Sequence, residues 1–199
     1  MCLLVETIRI QDGIPQNLSW HQSRMDESVR EVFGCINKII ISLAIKVPDK
    51  YRYGTVKCRL IYDLNSYETE FSAYRSKKIN CLRLLHDDSI EYKHKYADRT
   101  DLEKLLDRRG NADDILIISK GFLSDTSFSN IVFFDGKQWI TPSTPLLRGT
   151  CRQRLLSEGK IMEMPLKPDD ISRFSKFQLI NAMRGFNKQQ GIAITKIFY

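Results

Sequence analysis

One helix pattern set among short β-prone segments most constrains how the first half of this chain can fold. Residues 3–11 are β-prone and end at Asp12-Gly13, a hairpin turn signal, so residues 14–18 can return as the partner strand. Apolar residues at helical spacing predict a helix over about residues 20–33, with a capping box at Ser19 to Gln22. Such a helix must bury its apolar stripe against another element, so the stripe is expected to face a sheet.

Two further strands complete this N-terminal part. Residues 55–62 and 67–74 are typical of strands joined by the turn Asp63-Leu64-Asn65-Ser66, and an apolar segment over residues 36–45 precedes them. The polar stretch over residues 86–98 indicates either a domain linker or a site. We therefore expect an α+β protein of two domains, an N-terminal α+β domain over residues 1–88 and a C-terminal β-rich domain over residues 89–199.

The C-terminal half is predicted to be rich in strands. Thr100 and Glu103 have the spacing of a second capping box, before a helix that ends at Arg109-Gly110. A second helix is predicted over residues 149–156 and a helical turn over residues 168–174. The predicted strands are residues 115–118, 131–134, 138–140, 161–164, 177–180 and 192–198.

Composition and charge narrow the class of protein. No apolar run approaches the roughly 20 residues of a membrane-spanning helix, and residues 1–5 lack the basic start of a signal peptide, so we expect a cytoplasmic protein without a membrane partner. Five cysteines without a metal-ligand spacing argue against disulfides and against a metal site. The net charge of +7 fits a nucleic acid, an anionic substrate or a cofactor, but the basic residues are spread along the chain, which favours a solvated surface.

Three polar segments could carry chemistry. The first is His94-Lys95-Tyr96-Ala97-Asp98-Arg99, which taken alone is typical of a solvated linker. In the second, residues 121–131, hydroxyl side chains surround Asp125 before a buried strand, a pattern that taken alone predicts a turn. In the third, Thr141-Pro142 is followed by residues 146–152, where Gly149 opens a helix whose backbone N–H groups could hold a phosphate.

In this order and spacing, the three segments resemble the signature of the class IV aminotransferases, the fold-type IV pyridoxal-phosphate enzymes. Residues 6–13 resemble the first hairpin of that family, and His21-Gln22-Ser23-Arg24 resembles its H-x-x-R helix. Asn181-Ala182-Met183 is similar to a segment of the 4-amino-4-deoxychorismate lyase branch. The resemblance covers about residues 5–183. It implies a homodimer of two-domain chains with an N-terminal α/β sandwich and a C-terminal pseudo-barrel, shortened at both ends, with pyridoxal phosphate in the cleft between the domains.

The resemblance also implies roles for single residues. Lys95 matches the lysine that forms a Schiff base with the cofactor and moves protons at the substrate carbon, with Lys93 as its rival. Thr7 matches a threonine of the lyases and is the second catalytic candidate. Asp125 stands where the family usually has a glutamate that faces the ring nitrogen. The other implied cofactor-binding residues are Arg24, Thr150 and Cys151 at the phosphate, and Asn181.

The implied activity is Schiff-base chemistry on an amino acid or on aminodeoxychorismate, by elimination of pyruvate or by amino transfer. No nucleic-acid partner is expected on this interpretation. Two alternatives stay open: a non-catalytic relative that keeps only the cofactor site, and a basic binding protein for an anionic ligand. For two residues a structural role also stays open, since Arg24 could form a surface contact with Glu27 or Ser28 of the same helix, and His21 could be a cap or packing residue.

Overall fold

A computed structural model describes residues 2–199 and divides into two compact units. The N-terminal unit runs to Ser76 and takes in the separate segment His94–Asp98, and the C-terminal unit comprises Lys77–Lys93 and Arg99–Tyr199. This division differs from the predicted boundary between residues 88 and 89. The reason is strand pairing, because the strand Leu82–His86 lies beside the strand Asp114–Ser119 and therefore belongs to the second unit.

The N-terminal unit is an antiparallel sheet with one face covered by a helix. Its strands are β1 (Leu4–Gln11), β2 (Ile14–Pro15), β3 (Thr55–Tyr62) and β4 (Tyr67–Ala73), in the order β2-β1-β3-β4. Its helices are α1 (Leu18–Phe33) and the short α2 (Ile41–Ala44). The predicted hairpin, helix and two later strands are confirmed. The helix begins at Leu18, so Ser19 lies inside it and the predicted capping box does not form.

Alternation along β1 and β3 determines which face of this sheet is buried. Side chains at every second position share a face of a strand. Leu4, Ile8 and Ile10 of β1 therefore point the same way, and they pack with Met25 and Val29 of α1 in one core cluster. Val5, Thr7 and Arg9 lie on the opposite face.

The segment His94–Asp98 adds a short fifth member to this sheet. Tyr96 forms an antiparallel bridge with Leu4, the N–H of Val5 donates to the carbonyl of Lys95 at 2.9 Å, and the N–H of Ala97 donates to the carbonyl of Leu3 at 2.8 Å. Tyr96 also packs against the cluster that contains Leu4. The backbone around Lys95 is therefore fixed to β1.

The C-terminal unit consists of two sheets that share one hydrophobic core. The first sheet has the order β13-β5-β6-β7 and contains β5 (Leu82–His86), β6 (Asp114–Ser119), β7 (Phe122–Thr126) and β13 (Ile197–Phe198). The second has the order β10-β9-β8-β11-β12 and contains β8 (Asn130–Phe134), β9 (Trp139–Pro142), β10 (Met162–Met164), β11 (Lys176–Ile180) and β12 (Ile192–Ala193). The helices are α3 (Thr100–Asp107) and α4 (Thr150–Ser157). In residues 2–199, no helix is both long and apolar enough to cross a membrane.

Several sequence predictions for this unit are wrong. β5 was not predicted, and β7 lies where the pattern predicts a turn. β7 can be a buried strand because its polar side chains are paired inside the unit: the hydroxyl of Ser124, for example, donates to the carbonyl of Thr144 at 2.6 Å. The predicted strand 192–198 is two short strands in different sheets, separated by a 3-10 turn. Thr100 lies inside α3, which has no side-chain cap.

Candidate active site

The backbone of Lys95 is bonded to β1, two residues from Thr7. The N–H of Val5 donates to the carbonyl of Lys95 at 2.9 Å, and Thr7 lies two residues further along the strand, on the same face as Val5. Lys95 lies in a tight turn, because the N–H of Tyr96 donates to the carbonyl of His94 at 2.9 Å. Lys95 is half-buried, whereas the rival Lys93 is exposed. The structure therefore places the backbones of the two predicted catalytic residues close together along β1.

On the edge of β1 that faces away from β3, the ladder of backbone hydrogen bonds is interrupted beside Thr7. The N–H of Val5 and the carbonyl of Arg9 both bond away from β3, to Lys95 and to the N–H of Gln16. The two-residue period of the strand directs the backbone groups of Thr7 the same way. Within the described part of this unit, no strand pairs with Thr7 on that side. A gap in the ladder between Lys95 and Gln16 thus lies next to the predicted catalytic hydroxyl.

Arg24 of α1 lies on the helix-covered side of β1, in a buried network that centres on Glu6. Its Nε donates to Glu6 Oε1 at 2.8 Å and its Nη2 donates to Glu6 Oε2 at 2.6 Å. His21 Nδ1 lies 2.6 Å from the same Oε2. Where the sequence alone left open a pair of Arg24 with Glu27 or Ser28 of its own helix, the structure pairs Arg24 with the carboxylate of β1. His21 is buried and binds a carboxylate instead of capping the helix.

The pKa of Glu6 shows how strongly this network favours the charged carboxylate. Burial by itself raises the pKa of Glu6, but the charge of Arg24 and the hydrogen bond from His21 outweigh it, and the pKa falls to about 2. In the sequence, Glu6 and His21 stand out only as parts of motifs, and nothing there predicts their pairing. Residues 6, 21 and 24 lie on two elements, so no local spacing could have shown that they meet.

Asp125 of β7 is a buried carboxylate in the C-terminal unit. Its Oδ1 accepts from Asn130 Nδ2 at 2.7 Å and its Oδ2 accepts from the backbone N–H of Leu147 at 3.0 Å. Burial raises the pKa of Asp125 to about 6, against the lowering effect of these hydrogen bonds and of Arg152. At pH 7 Asp125 is therefore a buried anion, which a protonated ring nitrogen would stabilise.

Asn130 connects Asp125 to the start of α4. Besides Asp125, its Nδ2 donates to the carbonyl of Leu147 at 2.9 Å. Gly149, two residues on, is the N-cap of α4, and no side chain caps that helix. The role of Asn130 was missed in the sequence, where only the buried strand that follows it was noted.

Thr150 and Cys151 are the first two residues of α4, and both are buried. The first N–H groups of a helix have no partner within it, and the positive end of the helix dipole favours an anion there. Burial raises the pKa of the Cys151 thiol, which keeps it neutral and unreactive at pH 7. Cys151 can thus contribute its backbone N–H, and Thr150 both an N–H and a hydroxyl.

Asn181 closes a turn after β11. Its Oδ1 accepts from the N–H groups of Met183 at 3.0 Å and Arg184 at 2.9 Å, and its Nδ2 donates to Ser129 Oγ at 2.8 Å. Asn181 therefore contacts the turn between β7 and β8, which also follows Asp125. Hydrogen bonds of Ser129 and Asn130 thus connect Asn181, Asp125 and the loop before α4 within the C-terminal unit.

The described residues contain no metal-ligand cluster, and their cysteines lie outside any disulfide. In residues 2–199, no three His, Cys, Asp or Glu side chains are grouped as a metal site would need. Cys2, Cys35, Cys58, Cys81 and Cys151 are all free thiols.

The two units together have the architecture of the fold-type IV enzymes, a helix-covered N-terminal sheet and a C-terminal unit of two sheets around one core. Residues 3–188 match the family described as amino-transferase class IV. The chain belongs to this family.

Individual proteins are similar to this chain over most of its length. An uncharacterized protein of Haemophilus influenzae is 38% identical over 184 residues, which are 92% of this chain and 98% of the relative. A solved structure from Haemophilus somnus 129PT, of a protein provisionally named 4-amino-4-deoxychorismate lyase, is 32% identical with a TM-score of 0.87, over 94% of this chain and 98% of that one. A hypothetical aminotransferase from Mycobacterium tuberculosis in its PLP-bound form shares the fold, with 16% identity and a TM-score of 0.78, over 98% of this chain and 81% of that one.

Proposed function

We propose that this chain is a pyridoxal-phosphate-dependent enzyme that uses Lys95 to act on an amino acid or on aminodeoxychorismate. The observation that carries the proposal is the attachment of the Lys95 backbone to β1, at Val5 and two residues from Thr7. A lysine that binds a cofactor covalently and then moves protons must be held in one place, and Lys95 meets that condition. Membership of the class IV aminotransferase family supports the same cofactor.

The donor set fits pyridoxal phosphate. A buried carboxylate with a raised pKa, Asp125, suits a protonated ring nitrogen, since the two would stabilise each other's charged form. The N–H groups of Thr150 and Cys151 at the start of α4 suit a phosphate, as does the guanidinium of Arg24. Asp125 is one methylene shorter than the glutamate usual at this place, and its orientation is fixed by Asn130 and Leu147.

Each of these residues then has a defined task. The bound cofactor supplies an electron-accepting ring that stabilises negative charge at the substrate carbon. Lys95 Nζ would hold the cofactor and move the proton at the substrate carbon. Asp125 would keep the proton on the ring nitrogen, and Arg24 and the first residues of α4 are the candidates for holding the phosphate. In the elimination reaction, the hydroxyl of Thr7 passes a proton to the leaving group.

Labelling tests the assignment of Lys95. Addition of pyridoxal phosphate to the purified chain should produce a visible absorption band, and borohydride followed by peptide mapping should locate the pyridoxyl group on Lys95. Lys95→Arg should abolish the labelling, and the matched variant Lys93→Arg should retain it. A label on Lys93, or a chain that shows no visible band, would contradict the proposal.

Turnover assays then separate the possible reactions. Pyruvate release from aminodeoxychorismate would show a lyase, which the similarity of Asn181-Ala182-Met183 and Thr7 to the lyase branch favours. Product formation from L- or D-amino acids with 2-oxoglutarate would show a transaminase. Binding of the cofactor without turnover in either assay would identify a non-catalytic relative. The same proposal includes a cytoplasmic homodimer, for which the free thiols and sedimentation in solution are the relevant observations.

A further inference from the structure

We propose that Glu6 is a positioning residue that holds the guanidinium of Arg24 in the orientation in which it binds the cofactor phosphate, and that His21 in turn holds Glu6. This inference rests on the proposed function, since it assigns a task to Glu6 at the same cofactor site. The resemblance of residues 6–13 to the first hairpin of the family does not by itself require the carboxylate of Glu6 to contact α1.

The geometry of the pair is that of a two-point clamp. Glu6 accepts from both Nε and Nη2 of Arg24, at 2.8 and 2.6 Å, so the carboxylate and the guanidinium share one plane. Glu6 and His21 are each 1% exposed, and Arg24 is 11% exposed. His21 and Arg24 are three residues apart on α1 and therefore reach Glu6 from the same face of the helix.

His21 fixes the orientation of the Glu6 carboxylate. Its Nδ1 is directed at Glu6 Oε2, and its Nε2 is buried without a hydrogen-bond partner among the described residues. A buried ring nitrogen left unpaired is costly, so the ring is retained for the one bond that it makes to the carboxylate. Glu6 thus accepts from a rigid ring on one side and from the guanidinium on the other.

Glu6 has two opposing effects on the affinity for phosphate, and a binding measurement shows which is larger. Its negative charge partly cancels the attraction of Arg24 for a phosphate, so removal of the charge alone would tighten binding. The two bonds from Glu6 already fix the Arg24 side chain before the anion binds. Binding then costs less side-chain entropy, which favours a lower Kd. We expect the second effect to exceed the first, because the guanidinium donates in one fixed plane and a misdirected fork cannot bind phosphate through two bonds.

The test compares pyridoxal phosphate with pyridoxal, which has the same ring and aldehyde but no phosphate. In the full chain, Glu6→Gln should raise the Kd for pyridoxal phosphate about tenfold or more, the scale of one charge-assisted hydrogen bond. The Kd for pyridoxal should change less than about twofold on the same reasoning. In an Arg24→Ala background, Glu6→Gln should have no further effect, because Glu6 acts through Arg24.

A matched control and a fallback variant complete the design. Asp49→Asn breaks an exposed ion pair of the same unit, Asp49 with Arg52 at 2.8 Å, and should change neither Kd. If Glu6→Gln does not fold, Glu6→Asp keeps the charge with a shorter arm, and it should weaken pyridoxal phosphate selectively.

Three results would overturn the inference. They are equal loss for both ligands, tighter binding of pyridoxal phosphate by the Glu6 variant, and an undiminished effect of Glu6→Gln in the Arg24→Ala background. Wild-type binding of the cofactor that does not depend on Glu6 would refute this inference and leave the proposed function standing. A wild-type chain that does not bind the cofactor would refute both.

Discussion

The side-chain amide of Asn130 occupies the space where residue 149 would carry a Cβ atom. An ideal Cβ built on Gly149 would lie 2.1 Å from Asn130 Oδ1, far inside any real contact. The backbone of Gly149 has φ −64° and ψ 139°, which any residue can adopt. Glycine is therefore required at this place by the approach of Asn130 and not by backbone conformation.

Gly149→Ala should destabilise the C-terminal unit by roughly 2–4 kcal/mol, the cost of overpacking together with a displaced buried amide. The new methyl group must displace Asn130, whose Nδ2 donates to Asp125 and to the carbonyl of Leu147. Denaturant unfolding measures the loss. Gly159→Ala is the control, because a Cβ there meets nothing within 4 Å and only its φ of +62° opposes the change, at about 1 kcal/mol. Equal losses for the two variants would contradict the prediction.

A double-mutant cycle isolates the contact itself. Once Asn130 is replaced by Ala, the clash at residue 149 no longer exists, so Gly149→Ala should add little further loss. Additive losses in Asn130→Ala/Gly149→Ala would show that the methyl group acts on some other neighbour.

Asp125 should make the stability of the C-terminal unit fall as the pH rises. Its pKa is raised in the folded state to about 6 from an ordinary value of 3.8, so the folded chain binds the extra proton between these values. Because the folded state then holds more protons than the unfolded state, the free energy of unfolding decreases from pH 3.8 to 6, by on the order of 3 kcal/mol in total. Asp125→Asn should remove this decrease. Denaturant midpoints at pH 4 and pH 6.5 compare the two chains, and parallel pH dependence in both would contradict the assignment.

Glu6 should have the opposite effect at more acid pH. Its pKa is lowered from 4.5 to about 2, so the unfolded state binds the proton first as the pH falls. The stabilisation from the network is complete above pH 4.5 and is lost as the pH falls towards 2, by on the order of 3 kcal/mol. Glu6→Gln should flatten this acid limb of the unfolding curve of the N-terminal unit. An unchanged limb would mean that Glu6 is not ionised within the network.

Thr7→Val tests the proposed proton transfer in elimination. Valine keeps the β-branched shape that suits β1 but has no hydroxyl, so stability should change little. Pyruvate release from aminodeoxychorismate should fall by about a hundredfold or more, the lower end of the range for loss of a proton-transfer group, while amino transfer should change much less. Thr69→Val is the control, since Thr69 pairs with Leu60 and so lies on the helix-covered face of the same sheet. Equal effects of Thr7→Val on both reactions would contradict a role confined to elimination.

The local elements of the N-terminal unit were predictable because each one has its own signal. The turn at Asp12-Gly13, the apolar period of α1 and the alternation in β3 are all short-range patterns, and the structure has β3 at the predicted bounds, Thr55–Tyr62. The positions of Lys95 and Asp125 came from motif resemblance, and no short-range pattern distinguishes them from a linker and a turn.

What could not be predicted depends on pairing between distant segments. β7 contains Ser124 and Asp125, which a local pattern assigns to a turn, and only their partners in later loops allow them to be buried. The link between Glu6 and Arg24 joins a strand to a helix. Helical spacing shows only the neighbours on α1, Glu27 and Ser28, as partners for Arg24. The loss of a continuous strand after Ile192 likewise reflects which sheet each half joins.

The return of His94–Asp98 to β1 means that the N-terminal unit is not one continuous stretch of sequence. A fragment that ended at residue 88 would contain the strands β1 to β4 of this sheet. It would lack the segment His94–Asp98, which bonds to Leu3 and Val5. The start of β1 would then be an open edge with unpaired N–H and C=O groups, the kind of edge that pairs with other chains. Such a fragment should aggregate, and later addition of a peptide covering residues 94–98 should suppress the aggregation.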